Sequence, residues 1–213
     1  ALAGELALDG SIRPVPGALA MAERARSWGI RGIAVAPEDA AQAALVEGVD
    51  VVSIDHISRL GDLAGDEIEA VEPQELDADA GRELPDLSDL RGQPALARAL
   101  AIAAAGGHSL LMVGPPGSGK TLAARRLPSL LPPLTRDESL EVTRIAGACG
   151  ERIESPLAAP RPFRAPHHTV SAPVLVGGGR PPRPGEITRA HRGILFLDEL
   201  GEFHRDSLEA LRQ

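Results

Sequence analysis

At 213 residues and 43% hydrophobic, the chain has room for one large domain or two small ones, and its apolar content excludes a disordered protein. Its single cysteine, Cys149, excludes an intramolecular disulfide and a cysteine-cluster metal site, and fits a reducing compartment. A net charge of −8 argues against a uniformly basic nucleic-acid binder, and no apolar run approaches the ~18 residues of a membrane span.

Residues 1–60 read as a small α/β unit. Glu5-Leu-Ala-Leu and Ser11-Ile-Arg-Pro-Val flank Asp9-Gly10, a dipeptide suited to the φ > 0 turn of a hairpin. A helix is expected over Ala18–Ser27, ending at Gly29, then a strand over 32–36 and a second helix starting at Pro37 and running through Val46. A strand over 49–54 and a helical stretch over 56–63 follow. Between Asp62 and Asp89 stand eleven acids and one Arg, a composition that marks a solvated linker over 64–88. The expected organisation is thus a first domain over 1–63, the linker, and a second domain over 89–213. In the second domain an Ala/Leu-rich helix over 96–105 ends at Gly106-Gly107, and an apolar strand over 109–113 leads into a Gly-rich loop. A helix continues from Leu122, another covers 136–145, the Pro/Gly-rich region 156–185 is irregular, and 193–197 reads as a buried strand. With no Tyr, one Trp and three Phe, the core must be built from Ala, Leu, Val and Ile.

All but one of the 22 basic residues are Arg. The exception, Lys120, closes Gly114-Pro-Pro-Gly-Ser-Gly-Lys120-Thr121, which fits G-x-x-x-x-G-K-[ST]. In that pattern backbone N–H groups cradle phosphates and the Lys, a compact charge on a thin stem, reaches the outer ones, which a wide planar guanidinium does poorly. Strand, loop and helix in that order are the context the motif requires, and the helix directs its positive N-terminal end at the phosphates. The expected nucleotide-binding residues are Gly114, Pro115, Pro116, Gly117, Ser118, Gly119, Lys120, Thr121 and Leu122. The second half of the site is Ile194-Leu-Phe-Leu-Asp198-Glu199, a hydrophobic strand that sets two carboxylates at its carboxyl end. Asp198 and the Thr121 hydroxyl are expected to hold Mg²⁺. Glu199 is expected to act as general base on the attacking water, with Lys120 as its catalytic partner at the phosphates.

These motifs resemble an AAA+ ATPase. More narrowly, Gly92-Gln93, Ala103-Ala-Ala-Gly-Gly-His108, the phosphate loop, Arg161-Pro-Phe-Arg-Ala-Pro-His-His168, Val176-Gly-Gly-Gly179, Pro184-Gly-Glu-Ile187 and Ala190-His-Arg-Gly-Ile-Leu-Phe-Leu-Asp-Glu-Leu200 resemble the magnesium-chelatase-like competence protein ComM (YifB) family. The start of the chain, Gly4-Glu5-Leu…Gly10…Pro14-Val15, resembles the end of the Lon-protease-like domain that precedes the ATPase in that family. The resemblance implies an α/β fold: the C-terminal part of a small Lon-protease-like domain, followed by a truncated P-loop AAA+ core with an α/β/α parallel sheet. It also implies ATP and Mg²⁺ as cofactors, a homo-hexamer in the full-length protein, and single-stranded or branched DNA as partner, with branch migration during DNA uptake as the task. A Lon-type Ser-Lys dyad needs a Lys around residues 19–21; none is there, so the first domain is expected to be non-proteolytic. The rival reading keeps the ATPase and couples it to insertion of Mg²⁺ into a porphyrin; a third is a nucleotide-dependent docking module.

Between Arg161 and Arg192 there are six Arg and one acid, Glu186. This block is read as a DNA-contacting loop, with Arg161, Arg164, Arg180 and Arg183 as candidates, against the alternative of subunit interfaces and solvated charge. Phe163 is its only aromatic, so phosphate contacts must dominate. His167 and His168 invite a metal reading, but adjacent residues on an extended segment point to opposite sides and no acid sits near them in sequence, so a structural or nucleic-acid role is preferred. Cys149 reads as a buried apolar group. The chain has no signal-peptide pattern, which together with its solubility implies a cytoplasmic protein. It is expected to be incomplete at both ends, lacking the sensor strand, arginine finger and lid of a full AAA+ module, and so to hydrolyse ATP poorly by itself.

Overall fold

The computed structural model describes residues 1–62, 69–73, 85–151, 153, 155–158, 160–180 and 182–211, so most of the expected acidic linker lies outside the described residues. The chain divides into two compact units, one of residues 1–77 with 139–158 and one of residues 78–138 with 159–213.

The first unit begins with β1 (Leu2–Ala3), the hairpin of β2 (Glu5–Leu6) and β3 (Ile12–Arg13), and α1 (Ala18–Ser27). It continues through β4 (Gly32–Val35), α2 (Pro37–Ala43) and β5 (Asp50–Ser53). Strands β1, β4 and β5 form a parallel sheet in that order, with Leu2 opposite Ala34 and Gly32 opposite Asp50. Alternation along β4 sorts its side chains to two faces. Ile33 and Val35 join Ala18, Leu19 and Ala22 of α1 and Ala40 and Ala43 of α2 in the main core, whereas Ala34 and Ala36 pack with Ile12 and Ile54. The hairpin forms where expected: Glu5 pairs with Arg13, and the Asp9 carboxylate accepts from both the Ser11 amide and the Ser11 hydroxyl. Those bonds hold the Asp9 carboxyl below the usual carboxylate range.

Helix α1 ends as expected, at Trp28 before the left-handed Gly29, with the Arg24 guanidinium 4.5 Å over the Trp28 ring. Helix α2 is shorter than the expected run through Val46. Its last turn tightens into i→i+3 bonds, Leu45 N–H to Gln42 O and Val46 N–H to Ala43 O, and this lets Leu45 and Val46 turn into the core. Residues 57–60 form a 3₁₀ turn capped by the His56 side chain, and residue 63, the end of the expected helical stretch, lies outside the described residues. From the segment 139–158, Arg144 forks onto both oxygens of Glu23, at 2.8 and 2.6 Å, and this pairing raises the Arg144 pKa. Cys149 is half-buried, less enclosed than expected.

The second unit holds α3 (Pro94–Gly106), α4 (Lys120–Ala124), α5 (Leu127–Leu130) and the start of α6 (Arg136–Ala148). After these come β6 (Phe163–Arg164), α7 (Ala172–Val176), β7 (Gly177–Gly178), β8 (Arg183–Pro184), α8 (Glu186–Arg189), β9 (Ile194–Leu195) and α9 (Arg205–Ala210). Strands β6 and β9 pair in parallel, Phe163 opposite Ile194, and the Phe163 and Phe196 rings stack 6.0 Å apart. Only glycine fits at 193, because a Cβ there would collide with the Pro162 backbone. The region 156–185, expected to be irregular, contains α7 and an antiparallel β7–β8 hairpin.

Two expectations are corrected. Residues 109–113 do not form a strand: among the described residues none pairs with them, and Leu111 and Val113 stand 72% and 89% exposed. An apolar run supplies propensity, but a ladder needs a partner's N–H and C=O groups. The helix after the phosphate loop also stops after five residues. Pro128 lacks the N–H that a continuing helix would donate to Ala124, so the chain turns and restarts as α5.

Candidate nucleotide and magnesium site

Six residues after Gly114, the loop closes on its own lysine. The Lys120 ammonium donates to Gly114 O and Pro115 O, both at 2.9 Å, and lies 3.4 Å from Ser118 Oγ. Three N–H donors on a single nitrogen thus meet three loop oxygens, a convergence on one point that the wide planar fork of a guanidinium does not offer. The loop reaches this curvature through Gly117 and Gly119 at φ 77° and 82°, a region that side-chain-bearing residues avoid. Gln93 braces the loop from α3's start by donating to Ser118 O at 3.1 Å. Beneath α4, the buried Arg126 donates to Leu122 O, Asp86 O and the Asp89 carboxylate, tying the helix to residues 86–89. Sequence reasoning missed both supports. Gln93 carried a signal, since it stands in a motif, whereas Arg126 looked like any helix charge.

The decisive contact joins the two halves of the expected site. Thr121 Oγ1 donates to Asp198 Oδ2 at 2.8 Å, across 77 residues of sequence. The other Asp198 oxygen accepts from the Glu199 amide at 3.0 Å. A hydroxyl and a carboxylate in contact are the hard oxygen donors that Mg²⁺ prefers. This ion usually takes one or two carboxylates and completes its shell with water and substrate phosphate. Among the described residues no cluster of three or more His, Cys, Asp or Glu could hold a metal by itself. The residues therefore fit ATP with Mg²⁺. Glu199 follows in the left-handed region, at φ 53°, with its side chain largely exposed.

The four expected DNA-contact arginines separate into two pairs. Arg161 donates to Pro132 O, Arg192 O and Glu138, and Arg164 forks onto Glu186, which also receives Arg189. Arg180 and Arg183 instead lie exposed on the β7–β8 hairpin. Phe163 is committed to Phe196 and to the Arg125 guanidinium, 5.9 Å from its ring. The expectation for the histidines is corrected as well. A turn follows them, in which His167 Nδ1 accepts from the Thr169 amide, so the two rings lie together with centroids 4.1 Å apart rather than on opposite sides. A carboxylate, absent nearby in sequence, reaches His168 in space: Glu199 Oε2 is 3.3 Å from its Nδ1.

Comparison with known proteins agrees with this geometry. Residues 86–213, the part that contains both halves of the site, match the family described as magnesium chelatase, subunit ChlI. The chain belongs to that family. It is also 44% identical over its whole length to the protein YifB of Salmonella typhimurium, and 42% identical over 98% of its length to the competence protein ComM of Haemophilus influenzae. A partial similarity, 31% identity over 54% of the chain and 22% of the relative, links it to Lon protease 2 of Bacillus subtilis. The chain spans 42% of the length of YifB and of ComM. No helix among the described residues is long and apolar enough to cross a membrane.

Proposed function

We propose that this chain carries the ATP-binding and ATP-hydrolysing part of a DNA-translocating AAA+ motor, hexameric in the full-length cytoplasmic protein and acting by branch migration in natural transformation. The observation that carries the ATPase reading is the Thr121–Asp198 contact beside a loop closed on its only lysine. Lys120 moves from loop carbonyls to phosphate oxygens when nucleotide enters, and Gly114 to Leu122 wrap the phosphates, with backbone N–H groups from every residue of the run except Pro115 and Pro116. Mg²⁺, held by Thr121 and Asp198, supplies charge neutralisation at the phosphates. Glu199 accepts a proton from the attacking water as the new oxygen–phosphorus bond forms and the bond to the ADP oxygen breaks.

The DNA part rests on the similarity to a competence protein along nearly the whole chain and on the exposed Arg180 and Arg183. Arg161 and Arg164 already serve carboxylates and carbonyls, so the hairpin is the better phosphate contact. Residues 1–63 are read as the end of a Lon-protease-like domain without proteolysis, on the resemblance of Gly4-Glu5-Leu…Gly10…Pro14-Val15 and on the missing lysine. The rival metal-insertion role draws on the name of the matched family. Turnover by the full-length protein, measured with single-stranded and branched DNA, separates the two. The motor reading expects DNA to stimulate, and expects Arg180→Ala with Arg183→Ala to lower the salt-dependence slope of single-strand binding by about 1.4. Stimulation only by chelatase partner subunits with porphyrin would overturn it.

A further inference from the structure

Glu199 is held by a residue that none of the motifs explains. Its backbone sits at φ 53° and ψ 50°, a conformation costly for a residue with a Cβ and kept only where neighbours enforce it. Its side chain is 65% exposed, so burial does not orient it. The one described side chain with an ionic or hydrogen-bond contact to its carboxylate is His168, with Nδ1 3.3 Å from Oε2. The His168 ring is itself fixed on two sides. His167 lies against one face, at 4.1 Å between centroids, and the buried Phe203 meets it edge-on at 6.5 Å and 75°. Phe203 ends the 3₁₀ turn Leu200–Glu202 that starts at Glu199, so the same ring touches both ends of the turn that carries the carboxylate. The segments are pinned once more where Ser207 Oγ donates to Val170 O at 3.2 Å.

From this we infer that His168 is a positioning residue for Glu199. The inference rests on the reading of Glu199 as the general base. With its proton on Nδ1, the imidazole directs one carboxylate oxygen and leaves the other open to water. An exposed carboxylate on a flexible two-carbon stem would otherwise sample many orientations, few of them toward the reacting water. Among the described residues no hydrogen bond, ion pair or ring contact joins His168 to the nucleotide-binding residues or to Asp198, so its loss acts on the chemical step and leaves ATP binding in place.

The test uses the full-length protein with saturating Mg²⁺ and ATP, comparing wild type with His168→Ala, His168→Asn and Glu199→Gln. An Asn side-chain amide sets a neutral N–H donor near the position of Nδ1, so it should rescue. The expected result is that His168→Ala lowers kcat about 10- to 100-fold with KM for ATP and equilibrium ATP binding unchanged, and that His168→Asn recovers most of the loss. If Glu199→Gln keeps its turnover, the general-base reading fails, and the inference with it. If Glu199→Gln is inactive but His168→Ala has normal or raised kcat, the inference alone is overturned. It is also overturned if both His168 variants lose ATP binding along with turnover, because that is the signature of a merely structural ring.

Discussion

Glu186 is the single acid in the basic block, and replacing it with Gln should destabilise the protein far more than its position in an irregular region suggests. Its two oxygens accept from Arg164 Nε at 2.8 Å, Arg164 Nη2 at 3.1 Å and Arg189 Nη1 at 2.7 Å. The Glu186 side chain is only 11% exposed, and those of Arg164 and Arg189 28% and 26%. Removing the charge leaves two partly desolvated guanidiniums facing each other across a neutral amide. Losing one partner of a buried ion pair costs roughly 3–5 kcal/mol, and because water still reaches a quarter of each Arg we take the lower end, about 3 kcal/mol. For a chain of this size each kcal/mol moves Tm by roughly 2–4 °C, so Glu186→Gln should melt about 6–12 °C below wild type. Thermal unfolding followed by circular dichroism measures it. A shift under about 2 °C would refute the reasoning, since it would mean that Arg164 and Arg189 are solvated and available to other partners.

Lys120→Arg preserves charge in a protein that otherwise uses Arg, yet it should weaken ATP binding at least about 10-fold, the loss of one charge-assisted hydrogen bond of roughly 1.5 kcal/mol; nucleotide titration by calorimetry checks this. Asp9 supplies the pH prediction. Its carboxyl is depressed in the folded protein by the Ser11 bonds, so its contribution is present above the ordinary carboxylate pKa of about 3.9 and fades as pH falls through the lower folded value. A ¹³C carboxyl titration should place Asp9 below the ordinary value in wild type and raise it part of the way back in Ser11→Ala, which removes the hydroxyl bond and keeps the amide one.

What the sequence disclosed was local. Asp9-Gly10 sets the hairpin, Gly29 ends α1, and the spacing from Gly114 to Thr121 names the phosphate loop, because each depends on neighbours a few residues apart. The two halves of the site were also legible, since Thr121 and Asp198 each belong to a motif. Contacts between motifs were not. Glu186 claims Arg164 across 22 residues, Arg161 reaches Glu138 across 23, and Glu199 meets His168 only because β9 runs alongside β6. No periodicity encodes such pairs, so the four arginines read as DNA contacts resolve into two internal anchors, Arg161 and Arg164, and two exposed charges, Arg180 and Arg183. The strand expected over 109–113 failed for a related reason: its composition is right, but pairing is a property of two segments, not one.

The central claim is that Gly114–Thr121, Asp198 and Glu199 form one ATP-hydrolysing site. It is tested most directly by measuring Mg²⁺-ATP affinity and steady-state turnover side by side in the full-length wild-type protein and in Glu199→Gln. The account predicts that the variant binds Mg²⁺-ATP as tightly as wild type while turnover falls by about 100-fold or more, the loss of a general base. Undiminished turnover in Glu199→Gln, or a wild-type protein with no affinity for Mg²⁺-ATP, would contradict it.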